Sequence, residues 1–390
     1  MKKVLFVVDE KKIGGVSTVL ESILNNLDLT NLNIDLLVLH NTGNALTNLN
    51  KNINIIYGTG DFDVVDQDFK YLLKTGRILH ALKKLILSYK MKTNTIKSFI
   101  LKQRRKIGLS NYDVEVAFKS GFCSFIVAYS NANRKINWIH EDYATYNKTK
   151  RYENTFKKVF DMFDTHVVVS EKAGESFNSI YNMNSKTVII ENYINEQEIL
   201  KQAAKDDVKL DNKTINIVTL GRFCREKGFD RLIDAVNILN DKLDISNIKV
   251  HILGYGELER ALNEQITNLG LNKLIEVCNT SNMKNNVYSF IKAADIFVMP
   301  SRSESFGMTR IEALVLGVPV ITTNVANSDK LIHNDYGIIV SNDTNAIACG
   351  MEVLITNETL RASMKDNLKS YSYSKQNKEI IHQVKKLLEE

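Results

Sequence analysis

Ile296-Phe297-Val298-Met299-Pro300-Ser301-Arg302-Ser303-Glu304-Ser305-Phe306-Gly307-Met308-Thr309-Arg310-Ile311-Glu312-Ala313 reads as a strand, a polar turn and the start of a helix. Four consecutive apolar residues, 296–299, suit a strand covered on both faces. Pro300 and the serines break that run, and helical spacing resumes over 309–316. The stretch is therefore one βα unit. Its polar turn falls where ligands bind in open α/β sheets, at the carboxyl end of a strand.

The same alternation extends in both directions. In the second half, strands read at 215–220, 250–253, 275–277, 296–299, 318–321 and 338–340, with helices at 229–240, 258–269, 287–293 and 309–316. In the first half, strands read at 4–8, 34–39, 53–56, 114–118, 136–139, 166–169 and 187–190, with helices at 16–27, 154–163 and 171–181. Strands alternating with helices imply parallel sheets with both faces covered. The fold class is α/β, with two doubly wound, Rossmann-like domains in tandem. A chain of 390 residues is long enough for two cores. The polar stretch 193–211 supplies the join, giving domains 1–195 and 196–375. Over 376–390, Ile380, Ile381, Val384, Leu387 and Leu388 share one helical face, which suits a closing helix that packs back on the first domain. Between two such domains, the crevice is the natural place for a ligand.

Composition narrows the class. No apolar run approaches the roughly 18–20 residues that span a bilayer. The opening run at 4–8 ends in a charge, too short for a signal-peptide core, so a cytoplasmic protein is expected. Cys123, Cys224, Cys278 and Cys349 are scattered and read as reduced thiols, not as a disulfide frame or zinc site. Charge is uneven: residues 1–190 carry 27 Lys and Arg against 18 Asp and Glu, whereas the rest carry 24 against 27. That asymmetry points to an anionic partner for the first half.

Several turns carry chemistry. Gly14-Gly15 lies between the first strand and a helix, where glycine lets backbone N–H groups approach a phosphate; a plain tight turn reads equally well. Gly221-Arg222-Phe223-Cys224-Arg225-Glu226-Lys227-Gly228 follows a strand, and Arg222 with Lys227 suits a diphosphate and the charge that builds as it leaves. The bland alternative is a solvated basic loop. Glu304 in its turn and Glu312 in its helix stand at different depths, suited to different hydroxyls of one elongated ligand. Backbone N–H groups around Phe306, Gly307, Met308 and Thr309 could receive a phosphate. Against this, Thr309-x-x-Glu312 has capping-box spacing, which would leave Glu304 as a surface acid. His140, at a strand end, could bond a sugar or steady charge near the reacting centre. Gly254-Tyr255-Gly256 could let a base or ribose lie against the backbone. Asp61-Phe62-Asp63 reads as a solvated loop, not a metal site.

Taken together, these residues resemble glycosyltransferase family 4, of the GT-B fold. The resemblance rests on Gly221-Arg222-Phe223 with Glu226-Lys227-Gly228, Leu253-Gly254-Tyr255-Gly256, residues 294–301, Glu304-x7-Glu312-Ala313 and Gly317-Val318-Pro319-Val320-Ile321. It covers nearly the whole second half. In the first half it rests on Gly14-Gly15, His140 and Val168-Val169-Ser170-Glu171. It implies a retaining transfer of a hexose or N-acetylhexosamine from a nucleotide-diphosphate sugar, UDP-linked, with no essential metal or other cofactor. It further implies that Arg222 and Lys227 grip the diphosphate, Glu304 contacts the sugar beside Ser305 and the N–H groups of 306–308, and Glu312 holds the ribose. His140 and Gly15 would approach from the first domain. Retention is explained by same-face attack, with the leaving phosphate helping to take the acceptor proton. The family often has glycine where this chain has Cys278-Asn279, so the motif leaves the base contact open.

The acceptor side is read from a second feature. Residues 69–112 contain no acid, yet hold Lys70, Lys74, Arg77, Lys83, Lys84, Lys90, Lys92, Lys97, Lys102, Arg104, Arg105 and Lys106. Ile78, Leu82, Leu85, Ile86 and Tyr89 share a helical face within them. A basic amphipathic helix of this kind reads as a membrane-surface element; a core-facing helix with a solvated rim is the alternative. The expected partners are a nucleotide sugar, a carbohydrate, lipid-linked or anionic polymer acceptor, and an anionic membrane at the inner face of the plasma membrane. The product would be a bacterial surface polysaccharide or cell-wall glycopolymer. Nucleic acid is not expected, since no binding motif appears. The competing classes are an epimerase of similar architecture and a non-catalytic partner subunit. A dinucleotide-dependent dehydrogenase is disfavoured, because no G-x-G-x-x-G follows the first strand.

Overall fold

Strands made of unbroken apolar runs pair in parallel, since both faces are covered. The computed structural model describes residues 1–10, 14–40, 46, 48–58, 61–62, 69–93, 95–143, 153–206, 208–243, 245–282 and 286–390, and its strands form two such sheets. The chain divides into two compact units, Met1–Tyr193 with Lys378–Glu390, and Ile194–Asn377.

In the first unit the strands are β1 (Lys2–Glu10), β2 (Leu32–His40), β3 (Asn54–Tyr57), β4 (Val114–Ala117), β5 (Arg134–Ile139), β6 (Thr165–Val168) and β7 (Thr187–Ile189). Their order is β3-β2-β1-β4-β5-β6-β7, all parallel. The helices are α1 (Gly15–Asn26), α2 (Phe69–Lys74), α3 (Ile78–Lys92), α4 (Lys97–Ile107), α5 (Phe122–Ala128), α6 (Glu153–Phe160) and α7 (Glu171–Tyr181). Leu5, Val7, Leu37, Phe125, Phe160 and Phe177 belong to one buried core. The closing helix runs Ser374–Glu389; its Ile380, Val384, Leu387 and Leu388 are buried, and Lys385 pairs with Asp28 at 2.6 Å.

The second unit holds β8 (Ile215–Arg222), β9 (Ile248–Tyr255), β10 (Ile275–Asn279), β11 (Ile296–Met299), β12 (Val320–Thr323) and β13 (Gly337–Val340), in the order β10-β9-β8-β11-β12-β13. Its helices are α8 (Glu196–Ala203), α9 (Phe229–Lys242), α10 (Glu259–Asn268), α11 (Val287–Ala293), α12 (Met308–Val315), α13 (Ser328–Leu331), α14 (Thr344–Thr356) and α15 (Glu358–Leu368); the closing helix is α16. The strand order reverses at β8 and β11, which pair through Ile296 with Ile217 and Phe297 with Val218. Such a reversal opens a crevice beyond the strand ends, because the connections leave in opposite directions. The loops after β8 and β11 are thereby brought together.

Three sequence expectations change. The strand read at 318–321 begins at Val320, because Val318 belongs to the end of α12: its N–H donates to Ala313 at 3.0 Å and that of Gly317 to Leu314 at 3.0 Å, a Schellman closure. Arg104 is not part of a basic surface. It is 4 % exposed and forms a forked pair with buried Glu115, at 2.8 and 2.5 Å. Asp61 is not a loosely solvated acid: it bonds Lys106 at 2.7 Å and Gln103 at 3.1 Å, while Phe62 is fully buried. Asp63 lies outside the described residues, as does the side chain of Lys70.

Candidate active site

In the second unit the two loops at the sheet reversal are fastened to each other. Arg302 donates its N–H to the Glu226 carbonyl at 2.7 Å and grips Asp230 of α9 with both guanidinium nitrogens, at 2.7 and 2.6 Å. Arg231 donates to the Pro300 carbonyl at 2.5 Å and to Asn342. Gly228 adopts φ +68°, and a Cβ there would lie 2.2 Å from the Pro300 oxygen, so only glycine fits. Gly254 has a similar internal reason: a Cβ would meet the Gly221 oxygen at 1.8 Å. Its bareness serves the approach of β9 to β8, while Tyr255 beside it is exposed.

Between these loops, Lys227 Nζ donates to Glu304 Oε1 at 2.7 Å, and Ser301 Oγ donates to the same oxygen at 2.7 Å. Glu304 is 8 % exposed, which excludes the surface-acid reading. Burial works to raise its pKa, but the Lys227 charge and these hydrogen bonds outweigh it and hold the carboxyl below the usual range. Arg222 ends β8 with an exposed side chain. The basic loop is therefore half solvated and half engaged.

Glu312 behaves differently. α12 is capped by Gly307 with no side-chain cap bond, and Thr309 lies inside the helix with its hydroxyl directed to Met299 Sδ at 3.7 Å. The capping-box reading of Thr309 and Glu312 fails on this geometry. Glu312 is 8 % exposed, receives a long 3.4 Å bond from Tyr288 Oη, and is pushed up to about 7 by burial. A buried carboxyl without a cation at bonding distance is costly to keep charged. Ser305 and Met308 are half-buried, Phe306 and Gly307 buried, and the first-turn N–H groups of α12 have no helical carbonyl to serve.

Arg310 was not legible in the sequence. It is fully buried and donates to the carbonyls of Phe306, at 2.6 Å, and Ala326, and to Ser328 Oγ at 2.8 Å. It holds the turn that carries Glu304 in place. No motif marks it, since two of its three partners, Ala326 and Ser328, come from beyond β12. Tyr288, on α11, is likewise unmarked by any motif, since its partner Glu312 lies 24 residues away on another helix.

In the first unit, Gly14 caps α1 in an extended conformation, φ 176°, and Gly15 opens the helix; nothing lies within 4 Å of a Cβ placed at Gly14. His140 follows β5, stacks on Trp138 with ring centroids 6.3 Å apart, and bonds the Phe118 carbonyl. Burial pushes its pKa down to about 3, so the imidazole is neutral. It offers a hydrogen bond, not the charge that its sequence position also suggested. Among the described residues, no three His, Cys, Asp or Glu side chains gather to hold a metal ion, and no helix is long and apolar enough to cross a membrane. The four cysteines are free thiols.

Two doubly wound parallel-sheet units, with a cation–carboxylate pair at the sheet reversal of the second, are the architecture of the two-domain GT-B fold. Residues 201–371 match the family described as glycosyl transferases group 1. A capsular polysaccharide biosynthesis glycosyltransferase of Staphylococcus aureus, CapM, is 34 % identical over 175 residues, which is 44 % of this chain and 45 % of that protein. The chain spans about half the length of the curated relatives it matches. Two solved structures share the fold over nearly their full length. The Anabaena protein HepE in complex with UDP and glucose has a TM-score of 0.69 at 16 % identity, covering 98 % of this chain and 99 % of that one. WaaG, a glycosyltransferase involved in lipopolysaccharide biosynthesis, has a TM-score of 0.64 at 14 % identity, covering 99 % of each. The chain has the two-domain GT-B fold, and the residues that match the group 1 glycosyl transferases lie within its second unit.

Proposed function

We propose that the protein is a retaining, metal-independent glycosyltransferase of family 4. It moves a hexose or N-acetylhexosamine from a UDP-sugar to a lipid-linked or polymeric acceptor in bacterial surface-polysaccharide or cell-wall glycopolymer synthesis. The observation that carries this reading is the pair of half-buried Lys227 and buried Glu304 at the sheet reversal, with Glu312, which has no cation at bonding distance, eight residues further on. Lys227 has two further N–H donors to offer a diphosphate, and Arg222 adds a forked one. Positive charge for the departing nucleotide thus comes from side chains, and no metal is required by the reading. Glu304 is held ionised and fixed, as a group that orients sugar hydroxyls must be. Glu312, its pKa pushed up to about 7 by burial, gains hydroxyl donors from a ribose. The N–H groups opening α12 receive phosphate oxygens. His140 and Gly15 are assigned to the donor sugar and phosphate. The capsular relative and the UDP and glucose bound to HepE support the substrate class.

A donor screen tests this. Purified protein is incubated with single nucleotide sugars, and released nucleotide and thermal shift are recorded. One or more UDP-sugars should respond, and Glu304→Gln should lower turnover by about 10²-fold or more with the fold intact. Silence with every donor would remove the transferase reading.

A further inference from the structure

The turn that carries Glu304 rests on a buried cation whose charge nothing so far explains. Arg310, on α12, is 0 % exposed, and its three bonded partners are all neutral: the carbonyls of Phe306 and Ala326 and the hydroxyl of Ser328. Its Nε is buried with no hydrogen-bond partner among the described residues. Arginine is almost never fully buried without a partner of opposite charge. Burial pulls its pKa down to about 10, so the guanidinium keeps its charge at neutral pH. The acid on which that charge acts most is Glu304, which is already bonded to Lys227 at 2.7 Å. Lys227 and Glu304 cancel as a pair, and the charge left over is that of Arg310.

The position of the guanidinium gives that charge a use. Gly307 caps α12 with φ +79°, and a Cβ placed there would lie 3.0 Å from Arg310 Cζ and 3.2 Å from Nε and Nη2. The guanidinium therefore packs against Gly307, at the turn whose peptide groups open α12. The N–H groups of that first turn already favour an anion. Two carbonyls and a hydroxyl can be served by a neutral donor, and a charge buried for them alone is a cost. An anion seated on the turn offsets that cost. We propose that Arg310 is a positioning residue for the donor diphosphate, its buried charge acting through the Phe306–Gly307 turn. Being fully buried, it acts without touching the ligand. The proposal rests on reading the start of α12 as the phosphate end of the donor site.

The test uses the full chain in metal-free buffer, with dissociation constants for uridine, UDP and inorganic pyrophosphate measured by calorimetry. In the natural protein pyrophosphate should bind by itself, and UDP should bind about 10²-fold or more tightly than uridine. Arg310→Gln keeps a donor for the carbonyls and removes the charge. It should lower the gain of UDP over uridine, and the affinity for pyrophosphate, each by about ten-fold, while uridine changes by less than about two-fold. Arg310→Lys keeps the charge and should keep most of the gain. A purely structural clamp predicts otherwise: equal losses for uridine and UDP, or the same loss of gain in both variants. Either result, or a natural gain in Arg310→Gln, overturns the proposal. Should Arg310→Gln fail to fold, Arg310→Lys decides, since loss of the gain with the charge retained is fatal to it. The donor reading is judged separately. A UDP gain that ignores Arg310 leaves that reading standing and removes this one. Pyrophosphate binding that depends on Arg310, with no binding of UDP, removes the donor reading and leaves the coupling of the buried charge to phosphate. No binding of either removes both.

Discussion

Glu304 and Glu312 lie on one βα unit yet titrate in opposite directions, because one has a cation 2.7 Å away and the other a tyrosine hydroxyl at 3.4 Å. Glu312 has a testable consequence for stability. Its folded pKa is about 7 against 4.5 for the ordinary group. The folded chain thus holds a proton that the unfolded chain releases. Stability from this group is full below about 4.5 and is lost as pH rises through about 7, a swing of roughly 3 kcal/mol at most. Glu141 is also pushed up to about 7 by burial and contributes a slope of the same sign. Glu312→Gln should therefore be more stable than the natural protein above about pH 8, by about 1–3 kcal/mol, while binding the donor about ten-fold more weakly. Denaturant unfolding over a pH series checks this. A variant less stable than the natural protein under those conditions would show that the carboxyl is not strained by burial.

At the scale of elements, the site depends on the fastening of two loops, not on either loop alone. Arg302, Arg231 and Gly228 hold the β8 and β11 loops together, and Arg310 ties the second to the loop after β12. Gly228→Ala should open this clamp, since the new Cβ would stand 2.2 Å from the Pro300 carbonyl at φ +68°. We expect a loss of about 2 kcal/mol or more, with turnover falling further than stability as Lys227 and Glu304 separate. Gly14→Ala is the control: extended backbone and nothing within 4 Å predict a change under about 1 kcal/mol. Equal melting temperatures for Gly228→Ala and the natural protein would contradict the clamp.

At the scale of the whole molecule, apolar exposure coincides with the basic stretch. On α3, Ile78, Leu82, Leu85, Ile86 and Tyr89 are all more than half exposed, and only Ala81 and Leu87 are buried. The core-facing alternative for that face is therefore excluded. Lys83 pairs with Asp61 at 3.4 Å, and Lys90 and Lys92 stand in the last turn of the helix. We propose an anionic bilayer as the occupant, because an apolar stripe flanked by lysines matches acyl chains below phosphate headgroups. In co-sedimentation, the protein should bind vesicles containing phosphatidylglycerol several-fold better than neutral ones, and added salt should weaken the binding. Lys90→Glu with Lys92→Glu should abolish the preference. Equal binding to both vesicle types would argue against the membrane.

The two parallel sheets and the polar turns at their strand ends are legible in the amino-acid order alone. Those follow from short-range pattern, apolar runs such as 296–299 and the glycines and prolines that stop them, and pattern needs no knowledge of distant partners. It also singled out Lys227, Glu304 and Glu312. It could not say that the first two are bonded, nor that Thr309 lies inside its helix instead of capping it. Those points are settled by the fold, because Lys227 and Glu304 are 77 residues apart and meet where the strand order reverses. Arg104 and Arg310 are the clearest cases of the difference. In sequence each is one more surface-type cation; in the fold each is buried, because Glu115 faces the one, and two carbonyls with a serine hydroxyl face the other. Charge read along a chain counts groups, whereas burial and pairing, which decide what a charge does, are set by which groups the fold brings to face it.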